Sequence, residues 1–275
     1  MPFVAIVGAG ELGASIARAL ANRGRVAEVR LIDDAAGVAA GKALDIQQAA
    51  PIENSSTRVI ASGDLKAAVG AAAVLLADAV GSGSASAHEW SGEAGLALVR
   101  RLASIDDQAV IVCAGDNQQT LLAHGLHEVR LSRTRFFGSA PEAVVSALRA
   151  MVAVEADVSP SVISLTVLGR IPSQVVVPWS DGTIAGRPLT RVLGPTQVAR
   201  IERRAAAMRN LGPYTLAAAA ARLAEMLVGG SRRVVCCTVG LDGEFGLRGA
   251  LCAMPVLVAP GGIVRLIATP LDVRE

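Results

Sequence analysis

The chain has 275 residues, of which 52% are hydrophobic, 18% are charged and 3% are aromatic, and its formal net charge is +2. This composition excludes general disorder, which requires low hydrophobicity and high net charge, and it disfavours nucleic-acid binding, which usually requires a concentrated basic face. A membrane span is not expected either, because the best apolar stretch, residues 67–80, is shorter than a span and contains Asp78.

The N-terminal segment lacks the features of a signal peptide, because a strand is predicted from Phe3 with no basic leader or cleavage-like site. The cysteines form no CxxC pair, and two of them are adjacent within an apolar run; they are Cys113, Cys236, Cys237 and Cys252. Buried free thiols in a reducing cytoplasm explain this pattern best. We therefore expect a cytoplasmic protein with no metal site, no membrane partner and no nucleic-acid partner.

The first 35 residues predict a strand, a glycine turn, a helix and a second strand. An apolar run over residues 2–10 ends in glycines, and residues 27–34 alternate before they end in two acids. Further strands are predicted over 58–61, 73–77 and 109–114, with a helix over 92–103. Strands separated by helices imply right-handed crossovers and a parallel sheet with helices on both faces.

The alternation of predicted strands and helices ends near residues 136–138. Three helices are predicted beyond this point, over 142–156, 196–210 and 214–228, together with strand-rich stretches punctuated by Gly and Pro. The simplest division is a Rossmann-type doubly wound domain over residues 1–138 and an α+β domain over residues 139–275. The predicted fold class is therefore α/β.

The run from Gly8 to Gly13 has the pattern GxGxxG, and Asp33 follows twenty residues later at the end of the second predicted strand. In this context Gly8 permits a tight turn, Gly10 lets the backbone approach a pyrophosphate, and Gly13 lets the helix pack closely against the strand. Asp33 is expected to accept hydrogen bonds from ribose hydroxyls, which favours NAD over NADP. A turn that serves only tight packing is the alternative. The predicted cofactor contacts are Gly8, Gly10, Glu11, Leu12, Gly13 and Asp33.

The chain resembles the lactate/malate dehydrogenase family in its segments VAIVGAGELGASIARAL, VRLIDD and GKALDIQQAAP. The likeness continues through FFGSAPEAVVSALRAMVAVEADVSPSVI and TVLGRIPSQVVVPWSDGTIAGRPL to GLDGEFGLRGALCAMPVLVAPGGIVRLI. It implies an NAD-binding domain followed by a catalytic α+β domain, oxidoreductase activity on CH–OH groups, and a homo-oligomer that is a dimer or a tetramer.

The family's reaction implies a histidine oriented by an aspartate, two arginines that bind the substrate, and an asparagine. No histidine stands in the corresponding segment, 168–173, and no arginine in the loop over 80–87. The positions expected for the aspartate and the second arginine fall on Val144 and Ala147, and residues 114–116 replace the asparagine segment. We therefore expect ordinary malate or lactate turnover to be lost.

Four side chains are candidates for a replacement site: Asp78, Asp116, His88 and Arg170. Asp78 ends the fourth predicted strand and Asp116 follows the fifth, where ligands of doubly wound sheets bind, and Arg170 falls near the expected histidine position. The two carboxylates either face the cleft and favour a cationic or polyhydroxyl ligand, or each caps a turn or pairs with a nearby arginine. His88 is either a relocated acid–base group or an exposed residue at the start of a helix.

Two functions remain open at this point. The chain is either an NAD-dependent oxidoreductase that acts on another small alcohol or carbonyl compound, or a pseudoenzyme, that is, a non-catalytic dinucleotide-binding or assembly protein. Substrate-dependent turnover with NAD(H) distinguishes the two.

Overall fold

The computed structural model describes residues 2–81, 85–171, 174–208 and 211–272, and for residues 85 and 86 the backbone alone. Parts of three sequence predictions lie outside the described residues: the centre of the loop after the fourth strand (82–84), two residues of the segment where a histidine was expected (172–173), and a predicted helix end (209–210).

A parallel sheet forms the first half of the fold. Its strands are β1 (Phe3–Val7), β2 (Glu28–Ile32), β3 (Arg58–Ser62), β4 (Ala73–Leu76), β5 (Ile111–Cys113) and β6 (Phe136–Gly138). They are arranged in the order β3-β2-β1-β4-β5-β6, which is the doubly wound order. All five residues of β1 are buried, as expected for a strand covered on both faces. The predicted fold class is confirmed.

Helices connect these strands. They are α1 (Glu11–Arg23), α2 (Ala36–Glu53), α3 (Ala85–His88), α4 (Gly92–Ile105) and α5 (Gln119–His127), with a 3₁₀ turn at Leu65–Ala68. Ile16, Ala17 and Leu20 of α1 are fully buried, which confirms the helical spacing seen in the sequence. Among the described residues, no helix is both long enough and apolar enough to cross a membrane.

The second half adds helices and mainly antiparallel strands. In chain order these are α6 (Ala140–Ala156), β7 (Ile163–Ser164), β8 (Leu168–Arg170), β9 (Gln174–Val176), β10 (Thr183–Ile184), β11 (Arg187–Pro188), α7 (Leu189–Val192), α8 (Pro195–Ala206), α9 (Pro213–Gly229), β12 (Arg233–Asp242), β13 (Arg248–Ala259) and β14 (Gly262–Leu266). Two further 3₁₀ turns lie at Pro160–Val162 and Glu244–Gly246. Helix α8 ends at Ala206, earlier than predicted.

One sheet runs through both halves. Thr238 of β12 pairs with Gly138 of β6 in antiparallel fashion, and the sheet continues from β12 through β13 to β8 and β9. The predicted division after residue 138 therefore falls within a continuous sheet. Strands β7, β10 and β11 form a separate small sheet.

Helix α1 packs tightly against the sheet because Gly13 has no side chain. A Cβ atom at Gly13 would overlap the backbone carbonyl oxygen of Gly8 at the end of β1. We expect Gly13→Ala to lower the free energy of unfolding by at least about 2 kcal/mol, because neither backbone can move without breaking the turn. Urea denaturation followed by circular dichroism measures this loss.

Gly229→Ala is the matched control, since Gly229 also belongs to a helix, α9, but an added Cβ there meets no atom within 4 Å. It should raise the free energy of unfolding by about 0.5–1 kcal/mol, because alanine is the better helix former. Equal effects of the two substitutions would contradict the close packing at Gly13.

Candidate functional site

The glycine turn that joins β1 to α1 has the geometry predicted from its sequence. Gly8 has a φ of +107°, a conformation that side chains rarely adopt. Its amide donates to the carbonyl oxygen of Ile32 at 2.8 Å, and the amide of Gly10 donates to the carbonyl oxygen of Asp78 at 2.9 Å. The turn is thereby fixed between the carboxyl ends of β2 and β4.

The side chain of Asp78 lies at the N-terminus of α1. Its Oδ2 accepts a hydrogen bond from the amide of Leu12 at 3.1 Å, and its Oδ1 accepts one from the amide of Gly13 at 2.8 Å. The residue is 1% exposed. First-turn amides of a helix lack intrahelical partners, and a carboxylate beside them also interacts favourably with the helix dipole. Asp78 therefore caps α1 from another strand.

This cap corrects two predictions. A Cβ atom at Gly10 would overlap the carboxylate of Asp78, so the missing side chain of Gly10 makes room for that carboxylate rather than for a pyrophosphate. The ligand-facing role considered for Asp78 is wrong as well, because both of its oxygens are engaged by backbone amides and the residue is buried. The capping alternative describes Asp78 correctly.

Asp33 ends β2, beside the glycine turn, as its sequence position predicts. Its Oδ2 accepts from the amides of Ala9 at 2.8 Å and Val80 at 3.1 Å, and its Oδ1 accepts from the amide of Ala35 at 2.8 Å. The residue is 6% exposed. Three backbone donors thus bind the carboxylate that was predicted to bind ribose hydroxyls.

Lys42 of α2 contacts the same turn. Its Nζ donates to the carbonyl oxygens of Ala9 at 2.6 Å and Gly10 at 3.0 Å. These bonds bring one positive charge close to the Asp33 and Asp78 carboxylates.

The chain after β4 folds back on itself. The amide of Ala79 donates to the carbonyl oxygen of His88 at 2.9 Å, and the amide of Trp90 donates to that of Ala77 at 3.3 Å. The indole Nε1 of Trp90 donates to the carbonyl oxygen of Val7 at 3.1 Å. The returning segment therefore covers the carboxyl ends of β1 and β4, where ligands of this fold bind.

Glu89 is the site residue that the sequence did not identify as a candidate. It is 6% exposed, and its Oε2 accepts from the amide of Asn117 at 3.0 Å. The pKa of Glu89 is raised to about 7, mainly by burial and in smaller part by the charges of Asp116 and Asp78, against the lowering effect of the backbone amides of Asn117 and Asp116. The only signal in the sequence was its place beside His88.

The other candidates are distributed around this cluster. Oδ2 of Asp116 accepts from the amide of Leu211 at 3.2 Å, so Asp116 binds a backbone group, whereas its buried Oδ1 has no hydrogen-bond partner among the described residues. The ring of His88 lies against Gly81, where a Cβ atom would overlap it. Arg170 is exposed on β8, which three strands separate from β5 in the sheet. The fold therefore brings Asp78, Glu89 and Asp116 together.

Neither the cysteines nor metal-ligating clusters add chemistry to the described residues. Burial raises the thiol pKa of Cys113, Cys236 and Cys237, which makes these thiols poor nucleophiles. Cys252 is half-buried and unpaired with another cysteine. Within the described ranges, no group of three or more His, Cys, Asp or Glu side chains could hold a metal ion.

Two cavities adjoin the glycine turn. One of about 130 Å³ is bounded by Asp33, Asp34 and Trp90, among other residues, and is smaller than the roughly 300 Å³ typical of small-molecule pockets. The other, a groove of about 650 Å³, begins at Gly10 and Glu11 and runs along the outer face of α1.

Comparison with known proteins shows which family the chain resembles. Residues 3–105 match the family model of the lactate/malate dehydrogenase NAD-binding domain. The chain is therefore similar to the lactate/malate dehydrogenase family, whose NAD-binding domain its residues 3–105 match. A malate dehydrogenase from Dehalococcoides mccartyi (strain CBDB1) is 28% identical over 292 residues, which cover 100% of this chain and 94% of that relative.

Solved structures of the family share the fold. A malate dehydrogenase from Salinibacter ruber matches with a TM-score of 0.86 and 22% identity over 99% of this chain and 91% of its own. A lactate dehydrogenase from Cryptosporidium parvum, solved with lactic acid and the dinucleotide, matches with a TM-score of 0.82 and 21% identity over 100% of this chain and 92% of its own. The lactate/malate dehydrogenase fold therefore extends over the whole chain.

NAD is the cofactor of the matched domain, as predicted. The turn geometry at Gly8 and the position of Asp33 fit this cofactor. The N-terminus of α1 fits it less well, because the carboxylate of Asp78 already binds the amides that a pyrophosphate would use.

The raised pKa of Glu89 predicts a pH dependence of stability. Because its pKa is about 7 in the folded chain against 4.5 ordinarily, the protonated carboxyl stabilises the fold fully below about pH 4.5, and this contribution is lost as the pH rises through about 7. Glu89→Gln removes the dependence. Relative to wild type, the variant should gain about 2 kcal/mol in free energy of unfolding between about pH 5 and pH 8.

Urea denaturation at a series of pH values measures this difference. Glu93→Gln is the control, because Glu93 is exposed on the first turn of α4 and loses the same charge. A stability difference between Glu89→Gln and wild type that does not vary with pH would show that Glu89 is not held protonated by burial.

Proposed function

We propose that this chain binds NAD(H) as a lactate/malate dehydrogenase-like protein and has lost the turnover of malate and lactate. The observation that carries the proposal is the acidic edge at the carboxyl ends of β4 and β5, where Asp78, Glu89 and Asp116 lie together. A substrate carboxylate placed there meets the carboxylates of Asp78 and Asp116, and the charge of Glu89 once the pH exceeds about 7, instead of the arginine side chains that bind such groups bidentately.

The sequence supports the same conclusion independently. The family's histidine, aspartate, arginine and asparagine are absent from the positions where the resemblance places them, and groups of this kind act as a unit whose loss costs several orders of magnitude in rate. His88 and Arg170 do not rebuild this unit, because His88 packs on Gly81 and Arg170 is exposed on β8.

A second candidate function is an oxidoreductase that acts on an uncharged alcohol or carbonyl compound. The pKa of Glu89, at about 7, favours it, because a general acid–base group works best with a pKa near the operating pH. The burial of Glu89 and its bond to the Asn117 amide favour a structural role instead.

Titration with NADH followed by turnover assays tests the proposal. Binding should appear as energy transfer from Trp90, which lines the cavity beside Asp33, and this signal should persist in Trp179→Phe and disappear in Trp90→Phe. With malate, lactate, oxaloacetate or pyruvate, kcat should stay below about 0.01 s⁻¹, some three orders of magnitude below a median enzyme.

Turnover of malate or lactate at an ordinary enzyme rate would refute the proposed loss, and absence of NADH binding at millimolar concentration would refute the cofactor assignment. Turnover of an uncharged alcohol that is abolished in Glu89→Gln would instead establish the second candidate function.

We also propose that the chain forms a homo-oligomer. Val38, Leu44 and Ile52 are 44%, 58% and 85% exposed, and at 100° per residue they lie on one side of α2, where a second copy would cover them. Light scattering should give a dimer or tetramer for wild type and a smaller species for Leu44→Glu/Ile52→Glu. A monomeric wild type would contradict this assembly.

A further inference from the structure

The segment that follows β4 binds both expected anchors of the dinucleotide. The carboxylate of Asp78 accepts from the amides of Leu12 and Gly13, at 3.1 and 2.8 Å, as phosphate oxygens do at the N-terminus of a Rossmann helix. Two residues later, the amide of Val80 donates to Oδ2 of Asp33 at 3.1 Å, as a ribose hydroxyl does. The Asp78 carboxylate thus accepts from the amides expected to bind phosphate, and the Val80 amide donates to the carboxylate expected to bind ribose.

The glycine turn is shaped around this side chain. A Cβ atom at Gly10 would overlap the carboxylate of Asp78, and one at Gly8 would overlap the Asp78 carbonyl oxygen. Asp78 is 1% exposed, so no path to its oxygens is open while it holds this position. Phosphate oxygens and the Asp78 carboxylate therefore need the same space and the same two amides.

Charges of both signs surround this helix N-terminus. Glu11 adds an exposed carboxylate to the first turn of α1, beside Asp78. The nearby cation, Lys42, directs its Nζ to the carbonyl oxygens of Ala9 and Gly10. A diphosphate that approaches this helix consequently meets two carboxylates, one of which already holds the amides.

We propose that Asp78 is a specificity-determining residue that competes with the pyrophosphate of dinucleotides for the N-terminus of α1. This inference rests on the proposed function, because it concerns the same NAD site. It follows that NAD(H) binds only after the Asp78 carboxylate has left the amides of Leu12 and Gly13. The apparent affinity for NAD(H) is therefore reduced in proportion to the fraction of molecules in which these amides are free. Ligands that carry a nucleoside without phosphate do not compete with Asp78.

Isothermal titration calorimetry with ADP-ribose, NADH and adenosine tests this competition on the full chain. Asp78→Ala frees the amides and removes the charge, so the Kd for ADP-ribose and for NADH should fall at least about tenfold. The Kd for adenosine should stay within about twofold of wild type, because adenosine lacks the diphosphate.

Asp78→Ser is the second variant, for the case that Asp78→Ala does not fold, because a serine hydroxyl can still accept a hydrogen bond from a first-turn amide. It should give the same selective gain for the two diphosphate ligands, with a cooperative thermal transition that shows an intact fold. Glu93→Gln is the charge-matched control at the N-terminus of another helix and should leave all three Kd values unchanged.

The outcomes separate the two proposals. If wild type binds NADH and neither Asp78 variant gains affinity for ADP-ribose, the competition is refuted and the proposed cofactor stands. An equal gain for adenosine and ADP-ribose also refutes it, because the effect is then not directed at the phosphates. If no form of the protein binds NADH at millimolar concentration, the proposed function and the inference both fail.

Discussion

The amides at the start of α1 need an acceptor, and the way in which this chain provides one determines the arrangement of its cleft. Leu12 and Gly13 are bound by a carboxylate from the end of β4, although the glycine turn beside them is of the type that receives a phosphate. With Asp78 in this place, the following residues run back over the sheet, Val80 reaches Asp33, and Trp90 bonds to the end of β1. The contacts that cap α1 are thus the same contacts that occupy the expected cofactor site.

Acidic side chains at the carboxyl edge of the sheet have two kinds of surroundings. Asp78 and Asp33 are surrounded by backbone donors, which compensate a buried negative charge. Glu89 accepts from the amide of Asn117, and its pKa is raised to about 7, mainly by burial. The proposed loss of 2-oxoacid turnover depends on this edge, because a substrate carboxylate placed there approaches the carboxylates of Asp78 and Asp116.

Local sequence patterns predicted the structural features that depend on residues close together in the chain. The glycine turn, the end of β2 at Asp33 and most helices of the second half follow from spacing within a few residues. Helix α2 was not predicted from periodicity, because its apolar residues are spread around the helix and only small residues, Ala39, Ala43 and Ala50, are buried. The Asp78 cap could not be predicted either, because Asp78 lies 66 positions after Leu12 and 65 positions after Gly13 in the sequence. Sequence position alone left both capping and ligand binding open for that residue.

The pairing of β6 with β12 has a mechanical consequence. Since one ladder of hydrogen bonds crosses from the first half of the chain to the second, a hinge rotation between the halves would break strand pairing at Gly138 and Thr238. Rigid-body opening of the kind seen in two-domain clamps is therefore disfavoured. Under the proposed competition, a diphosphate reaches the buried amides of α1 only through a local displacement of the Asp78 side chain.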